Sequence, residues 1–145
     1  MPLKYGQQAP LIESKALWED PFDLTAYRGK IVVLHFYTSW CRHCIRSMGD
    51  FDKLQTKYKD KVVVVGISLD KAVEEFNKFI TNNPSEHQHI FDGPWKKSKT
   101  AKDYRVVNVP TSMIIDAEGN IQQIDLFGAV LAKYVQKLID TESTK

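Results

Sequence analysis

The residues able to do redox chemistry sit together in Trp40-Cys41-Arg42-His43-Cys44, which holds both cysteines of a 145-residue chain. A thiolate is at once a nucleophile and a metal ligand, so a pair at this spacing can close a small disulfide, supply half of a zinc site, or only pack. A structural zinc site commonly takes four ligands, often as two Cys pairs, and the chain has no second pair. A disulfide that serves stability gains from closing a long loop, whereas this one closes a very short loop. Reversible thiol-disulfide chemistry is the use the pattern favours.

Such a pair has to be held by the elements on either side of it. Before it runs Ile31-Val32-Val33-Leu34-His35-Phe36-Tyr37, too short for a helix of its own and rich in β-branched and aromatic residues, which predicts a strand buried on both faces. After it, Ile45, Met48, Phe51, Leu54 and Tyr58 recur at helical spacing from residue 42 to about 59. Cys41 therefore falls at a helix N-terminus, where unpaired N–H groups and the helix dipole favour thiolate over thiol.

The remainder alternates in the same way. Residues 62–69 (VVVVGISL) predict a second buried strand, and a strand, helix, strand unit of this length makes a right-handed parallel crossover. Val73, Phe76, Phe79 and Ile80 predict a helix over 71–82, ended by Asn82-Asn83-Pro84. A short strand is expected at 87–91, then a turn at Asp92-Gly93-Pro94. Residues 95–105, with Lys96, Lys97, Lys99, Lys102 and Arg105, predict a short basic helix whose charges form a solvated face. A hairpin follows: strands at 111–116 and 121–127 around Ala117-Glu118-Gly119-Asn120. Leu131, Tyr134, Val135, Leu138 and Ile139 mark a closing amphipathic helix, with residues 141–145 expected to fray. Residues 1–30 read as a lead-in of turns with a short hairpin, not a separate domain. The fold class is thus α/β, one domain over 1–145, with a mixed central sheet and helices on both faces.

Composition agrees with a domain that buries its own core, at 43% apolar residues. A net charge of +2 with no long run of one sign implies neither nucleic acid nor an acidic membrane surface. No stretch approaches a membrane span, and Met1-Pro2-Leu3-Lys4 lacks the charged-then-apolar pattern of an export signal. Two cysteines do not decide the compartment, because a catalytic pair works on either side of a membrane.

Taken in order, the motifs resemble the thioredoxin superfamily and, within it, TlpA/ResA-like thiol-disulfide oxidoreductases. The resemblance runs from Gly6 to about Leu138 and is carried by Gly6-Gln7-Gln8-Ala9-Pro10, by Gly29-Lys30 leading into the first core strand, and by Trp40 to Cys44. It continues in Val109-Pro110-Thr111, which is similar to the cis-proline loop, and in Asp116-Ala117-Glu118-Gly119, similar to the family's hairpin turn. The resemblance implies a thioredoxin-like fold in which Cys41 is the exposed attacking sulfur and Cys44 the more buried resolving one. It implies a substrate groove bordered by Trp40, Arg42, His43, Val109, Pro110 and Thr111, where Val109 pairs with an extended substrate segment like an added strand. Without the resemblance, Pro110 reads as an ordinary trans proline at a strand start.

His35 stands where thioredoxin has a buried acid beneath its second cysteine, which implies proton exchange with Cys44; by itself a His in an apolar strand reads as a hydrogen-bonded core residue. His43 takes the place that His holds in the oxidising disulfide isomerases. Ser47 and Gly49 depart from the family, which often has an acidic residue and a proline there, so neither function transfers. The implied partners are protein thiols and disulfides and a redox recycling partner, acting on a monomer with no cofactor beyond the Cys41–Cys44 disulfide and no metal. A periplasmic or cell-envelope site fits the family, and a cytoplasmic one fits the missing signal. Two rival readings stand beside this one. A peroxiredoxin-like thiol peroxidase would use Thr38-Ser39-Trp40-Cys41, although Leu34 stands where a proline is expected. A copper-handling protein would bind Cu(I) through Cys41, Cys44 and one of His43, His87 or His89.

Overall fold

The computed structural model describes residues 3–14 and 22–143. The run of apolar residues before the cysteines forms strand β3 (Ile31–Tyr37), buried along its whole length at the centre of a five-stranded sheet. Two short strands precede it, β1 (Glu13–Ser14) and β2 (Phe22–Asp23), paired antiparallel; the residues joining them, 15–21, lie outside the described chain. Helix α1 (Arg42–Lys57) returns the chain to β4 (Val62–Ser68), which pairs parallel with β3. Helix α2 (Val73–Asn82) leads to β5 (Gln88–Phe91), parallel to β4 and on the sheet's edge. After helix α3 (Lys99–Asp103), strand β6 (Thr111–Ile115) pairs antiparallel with β3 on its other side. Strand β7 (Ile121–Ile124) closes the second edge against β6, and helix α4 (Gly128–Ser143) ends the described chain. The order is β5-β4-β3-β6-β7.

Period-two alternation divides β3 between two cores. Ile31 and Val33 pack with Val62, Val64, Phe51 and Leu54 and with Leu131, Val135 and Ile139 of α4. Val32, Leu34 and Phe36 turn the other way, onto Val63, Val65, Ile67, Met113, Tyr104 and the lead-in residues Leu3, Ala9, Ile12 and Leu24. Full burial of each such side chain is worth about 1.5–3 kcal/mol, so β3 is the strand that most of the hydrophobic stabilisation runs through. The lead-in lies on the hairpin edge: Gly6 N–H donates to Ile121 O, Ala9 N–H to Gly119 O and Ile121 N–H to Gln7 O. The hairpin turn is tied by Asp116, whose Oδ1 accepts from the N–H groups of Glu118 and Asn120.

Several boundaries differ from the sequence reading. The basic stretch is not one helix: residues Trp95–Lys97 make a single 3₁₀ turn, and α3 starts afresh after Ser98. Ser98 causes the break, because its Oγ caps α3 by accepting from Ala101 N–H at 2.9 Å and donates to Asp92 Oδ2 at 2.6 Å. The second hairpin strand stops at Ile124, where Asp125 adopts φ +59° and leaves the ladder. The last helix continues through Ser143, so residues 141–143 are helical rather than frayed. Gly49 does not interrupt α1.

Candidate active site

Cys41 is the N-cap of α1, and its Sγ accepts from the Cys44 N–H at 3.2 Å. Cys41 and Cys44 are joined as a disulfide with Cα atoms 5.2 Å apart. The resemblance implies an exposed Cys41 and a more buried Cys44; in the disulfide both are buried, Cys41 at 7% exposure and Cys44 at 2%. The cover comes from Tyr37, which clusters with the two cysteines, and from Met48, Phe79 and Val109 packed against that cluster. Across the gap, Val109 O lies 3.9 Å from Cys41 Sγ, and the Val109–Pro110 bond is cis. Thr111 Oγ1 donates to Asn108 O at 2.7 Å and ties the loop that presents Val109.

Trp40, Arg42 and His43 are exposed around the pair, and Trp40, at 68%, is a large apolar surface beside Cys41. Exposed Val107 stands in the loop that carries Val109 and Pro110. The segment leading to Cys41 is fixed by Asp70, a fully buried acid that the sequence reading did not single out. Its Oδ1 accepts from Ser39 N–H at 2.8 Å and Ser39 Oγ at 2.9 Å, and its Oδ2 from Ser68 Oγ at 2.7 Å. One carboxylate thus links the end of β4 to the turn before Cys41.

His35 is not alone in its strand. Its ring stacks on Phe51 at 4.0 Å, and its Nε2 lies 2.7 Å from His87 Nε2. His87 Nδ1 lies 2.6 Å from Asp52 Oδ1, and Tyr37 Oη lies 2.8 Å from His89 Nδ1. Gly66 makes room for this cluster, since a Cβ there would stand 2.7 Å from His89 Nδ1 and 2.9 Å from His35 Nε2. Burial holds the His35 imidazole well below its ordinary range, aided by the neighbouring His87 and His89, and brings His89 down to about 3. Burial also lowers His87, although the Asp52 carboxylate pulls the other way. Burial alone would raise Asp52, but hydrogen bonds from Ser85 Oγ, Glu86 N–H and His87 hold it below the usual carboxylate value.

The structure therefore gathers Trp40, Cys41, Arg42, His43, Cys44, Val109, Pro110 and Thr111 at one end of the sheet, while His35 lies two residues back along β3 from Tyr37, which packs with the cysteines. His87 and His89, considered above as metal ligands, lie instead with His35, and among the described residues no three His, Cys, Asp or Glu side chains are arranged to hold a metal ion. The copper reading is not favoured. The peroxidase reading gains nothing either, as Leu34 is core and Thr38 Oγ1 is buried without a hydrogen-bond partner.

The model of the AhpC/TSA family matches residues 5–124. The thioredoxin-like protein YneN of Bacillus subtilis is 31% identical over 140 residues, covering 97% of this chain and 81% of that protein. The thiol-disulfide oxidoreductase ResA of Bacillus thuringiensis subsp. konkukian is 28% identical over 122 residues, 83% of this chain and 69% of that one. Among solved structures, the thioredoxin domain of a thiol-disulfide oxidoreductase from Bacteroides vulgatus superposes with a TM-score of 0.83 at 26% identity, covering 93% of this chain and 97% of that one. A thiol:disulfide interchange protein from Bacteroides sp. gives 0.84 at 26% identity, over 97% and 93%. With a Cys-x-x-Cys pair capping the helix after the central strand of a thioredoxin-like sheet, the chain belongs to the AhpC/TSA family.

Proposed function

We propose that the chain works as a thiol-disulfide oxidoreductase on protein substrates, with Cys41 as nucleophile, Cys44 as resolving cysteine and His35 as the group that takes the Cys44 proton. The observation that carries this is the position of Cys41: N-cap of α1, Sγ held by the Cys44 N–H and facing the Val109 carbonyl. A helix N-terminus stabilises a thiolate, and the thiolate is the attacking species. In the reducing direction Cys41 attacks a substrate disulfide and expels one substrate thiolate. Cys44 then attacks the Cys41 sulfur of the mixed disulfide, releases the second thiolate and closes the Cys41–Cys44 bond; oxidation of a dithiol runs the same steps backwards. No metal or organic cofactor enters.

In this reading an extended substrate segment lies along the 109–111 loop beside the exposed Trp40, with Val109 offering its backbone, Thr111 fixing the loop, and Arg42 and His43 meeting polar groups of the substrate. The protein acts as a monomer and returns to its starting state through a redox partner. Among the described residues, no helix is long and apolar enough to cross a membrane.

Two measurements test the assignment. In reduced protein, iodoacetamide at neutral pH is expected to label Cys41 much faster than Cys44, and Cys41→Ser to abolish insulin-disulfide reduction. Faster labelling of Cys44 would reverse the roles, and insulin reduction by Cys41→Ser would remove Cys41 from the chemistry. Cys44→Ser should trap substrates as mixed disulfides on Cys41.

A further inference from the structure

The resolving step requires Cys44 to lose a proton inside the protein, and a buried His35 can carry the resulting positive charge only at high cost. The groups around His35 address that cost. From β3 comes Tyr37, whose ring lies 5.5 Å from His35 and packs against both cysteines; Asp70 acts on Tyr37 from the end of β4. From α1 comes the Phe51 ring, which lies flat on His35; Asp52 follows it in the helix and reaches His87, and Cys44 stands in the first turn of the same helix. From the β5 side come His87 and His89. Asp52 and His89 are half-buried, and in the Asp52–His87 pair 25% of the Asp52 side chain is exposed against 0% for His87.

An ionised Asp52 beside a neutral His87, the form that burial favours, gives each proton one place. Asp52 Oδ1 accepts from Ser85 Oγ at 2.6 Å and from Glu86 N–H at 2.8 Å, as an ionised carboxylate does, so the proton of the 2.6 Å contact belongs to His87 Nδ1. His87 Nε2 then carries a lone pair. Across 2.7 Å it accepts from His35 Nε2–H, which leaves the lone pair of His35 on Nδ1.

We propose that Asp52 and His87 are positioning residues for the resolving step, holding His35 in the Nε2–H tautomer so that Nδ1 receives the Cys44 proton. As Cys44 S–H gives its proton to Nδ1, the Nε2 proton passes to His87 Nε2. The positive charge comes to rest on His87 against the Asp52 carboxylate, not on the buried His35. The Cys44 thiolate attacks the Cys41 sulfur, the bond from Cys41 to substrate breaks, and its electron pair leaves with the substrate thiolate. Reduction of the Cys41–Cys44 disulfide returns the proton by the same route. The inference rests on the role of His35 proposed above, and the test separates the two.

Reduced protein mixed with excess dithiobis-nitrobenzoate releases thionitrobenzoate in two phases. The first depends on reagent concentration and reports Cys41; the second does not and reports Cys44, and it disappears in Cys44→Ser. Asp52→Asn and His87→Gln are each expected to slow the second phase at neutral pH by about tenfold or more, below the roughly 10²–10⁴ of full general acid-base catalysis, and to move its pH midpoint up toward the unassisted thiol value of about 8.5. In unmodified reduced protein, imidazole nitrogen NMR shifts should place the protons on His35 Nε2 and His87 Nδ1, a readout that needs no variant to fold. A proton on His35 Nδ1 at neutral pH overturns the proposal. So does an unchanged second phase in both variants, or an equal slowing of both phases. If His35→Gln slows the second phase while Asp52→Asn and His87→Gln do not, only the positioning role fails; if His35→Gln leaves it unchanged, the base assignment fails first.

Discussion

His43 and Arg42 stand exposed between the two cysteines, in the first turn of the helix that Cys41 caps. Positive charge beside the Cys41 sulfur stabilises the thiolate, hence the reduced form, and a stabilised reduced form has a higher reduction potential. Exposure discounts the charge of Arg42, as solvent screens it. The helix N-terminus and the Cys44 N–H at 3.2 Å from Cys41 Sγ are not screened in this way. The potential is accordingly expected nearer that of protein disulfide isomerase than that of thioredoxin, on the order of −220 to −160 mV. Equilibration against glutathione buffers measures it, with His43→Pro expected to shift toward more reducing values. A wild-type potential at or below about −260 mV, or no shift in the variant, would contradict the argument.

At the scale of elements, β4 is built to leave a hole. Its Val-Val-Val-Val run gives way to Gly66, directly opposite His35 on β3 and His89 on β5, and the missing side chain is what lets those rings lie over the strand. Gly66→Ala places a methyl group 2.7 Å from His89 Nδ1 and 2.9 Å from His35 Nε2, against rings that are themselves pinned by hydrogen bonds to Tyr37 and His87. The expected outcome is a loss of about 1–3 kcal/mol in urea unfolding, the usual cost of overpacking, together with slower resolution by Cys44. Wild-type stability and kinetics in Gly66→Ala would mean that the cluster can shift without consequence. Asp70 works between elements in a different manner, holding the turn before Cys41 to the end of β4 through Ser39 and Ser68.

For the whole molecule, the buried imidazoles make stability depend on pH well above the carboxylate range. His35, His87 and His89 are all held below the ordinary imidazole value of 6.5, chiefly by burial, with His89 at about 3. In the unfolded chain each binds a proton once the pH drops below about 6.5, while the folded protein keeps them neutral. The unfolded state then holds more protons, so stability is full above about 6.5 and falls as pH drops from there toward the folded values. Asp52 contributes in the same sense lower down: its folded pKa is depressed below 3.8, so its share is present above that value and lost as pH falls through the folded one. Urea titrations are expected to show unfolding free energy declining steadily from about pH 6.5 to about pH 4, with a shallower slope in His89→Asn. A flat profile over that interval would show that the rings are protonated in the folded state.

The sequence by itself determined the parts that depend on local pattern. The apolar run of β3, the helical spacing after Cys41 and the alternation of strands and helices specify a mixed sheet with the cysteine pair at a strand-to-helix junction, because periodicity and capping act over a few residues. The order of motifs places Val109 and Pro110 near Cys41 by resemblance, and Val109 O lies 3.9 Å from Cys41 Sγ. What only the tertiary structure decided is set by pairs far apart in the chain. Ser98 splits the basic stretch because Asp92 and Ala101 both reach it, which no helical periodicity reveals. His35 reads as an isolated polar residue until parallel pairing of β3, β4 and β5 lays His89 and the adjoining His87 over Gly66 and helix α1 brings in Asp52. Register across three strands, fixed by the burial of both sheet faces, makes one core histidine a member of a charge-bearing cluster.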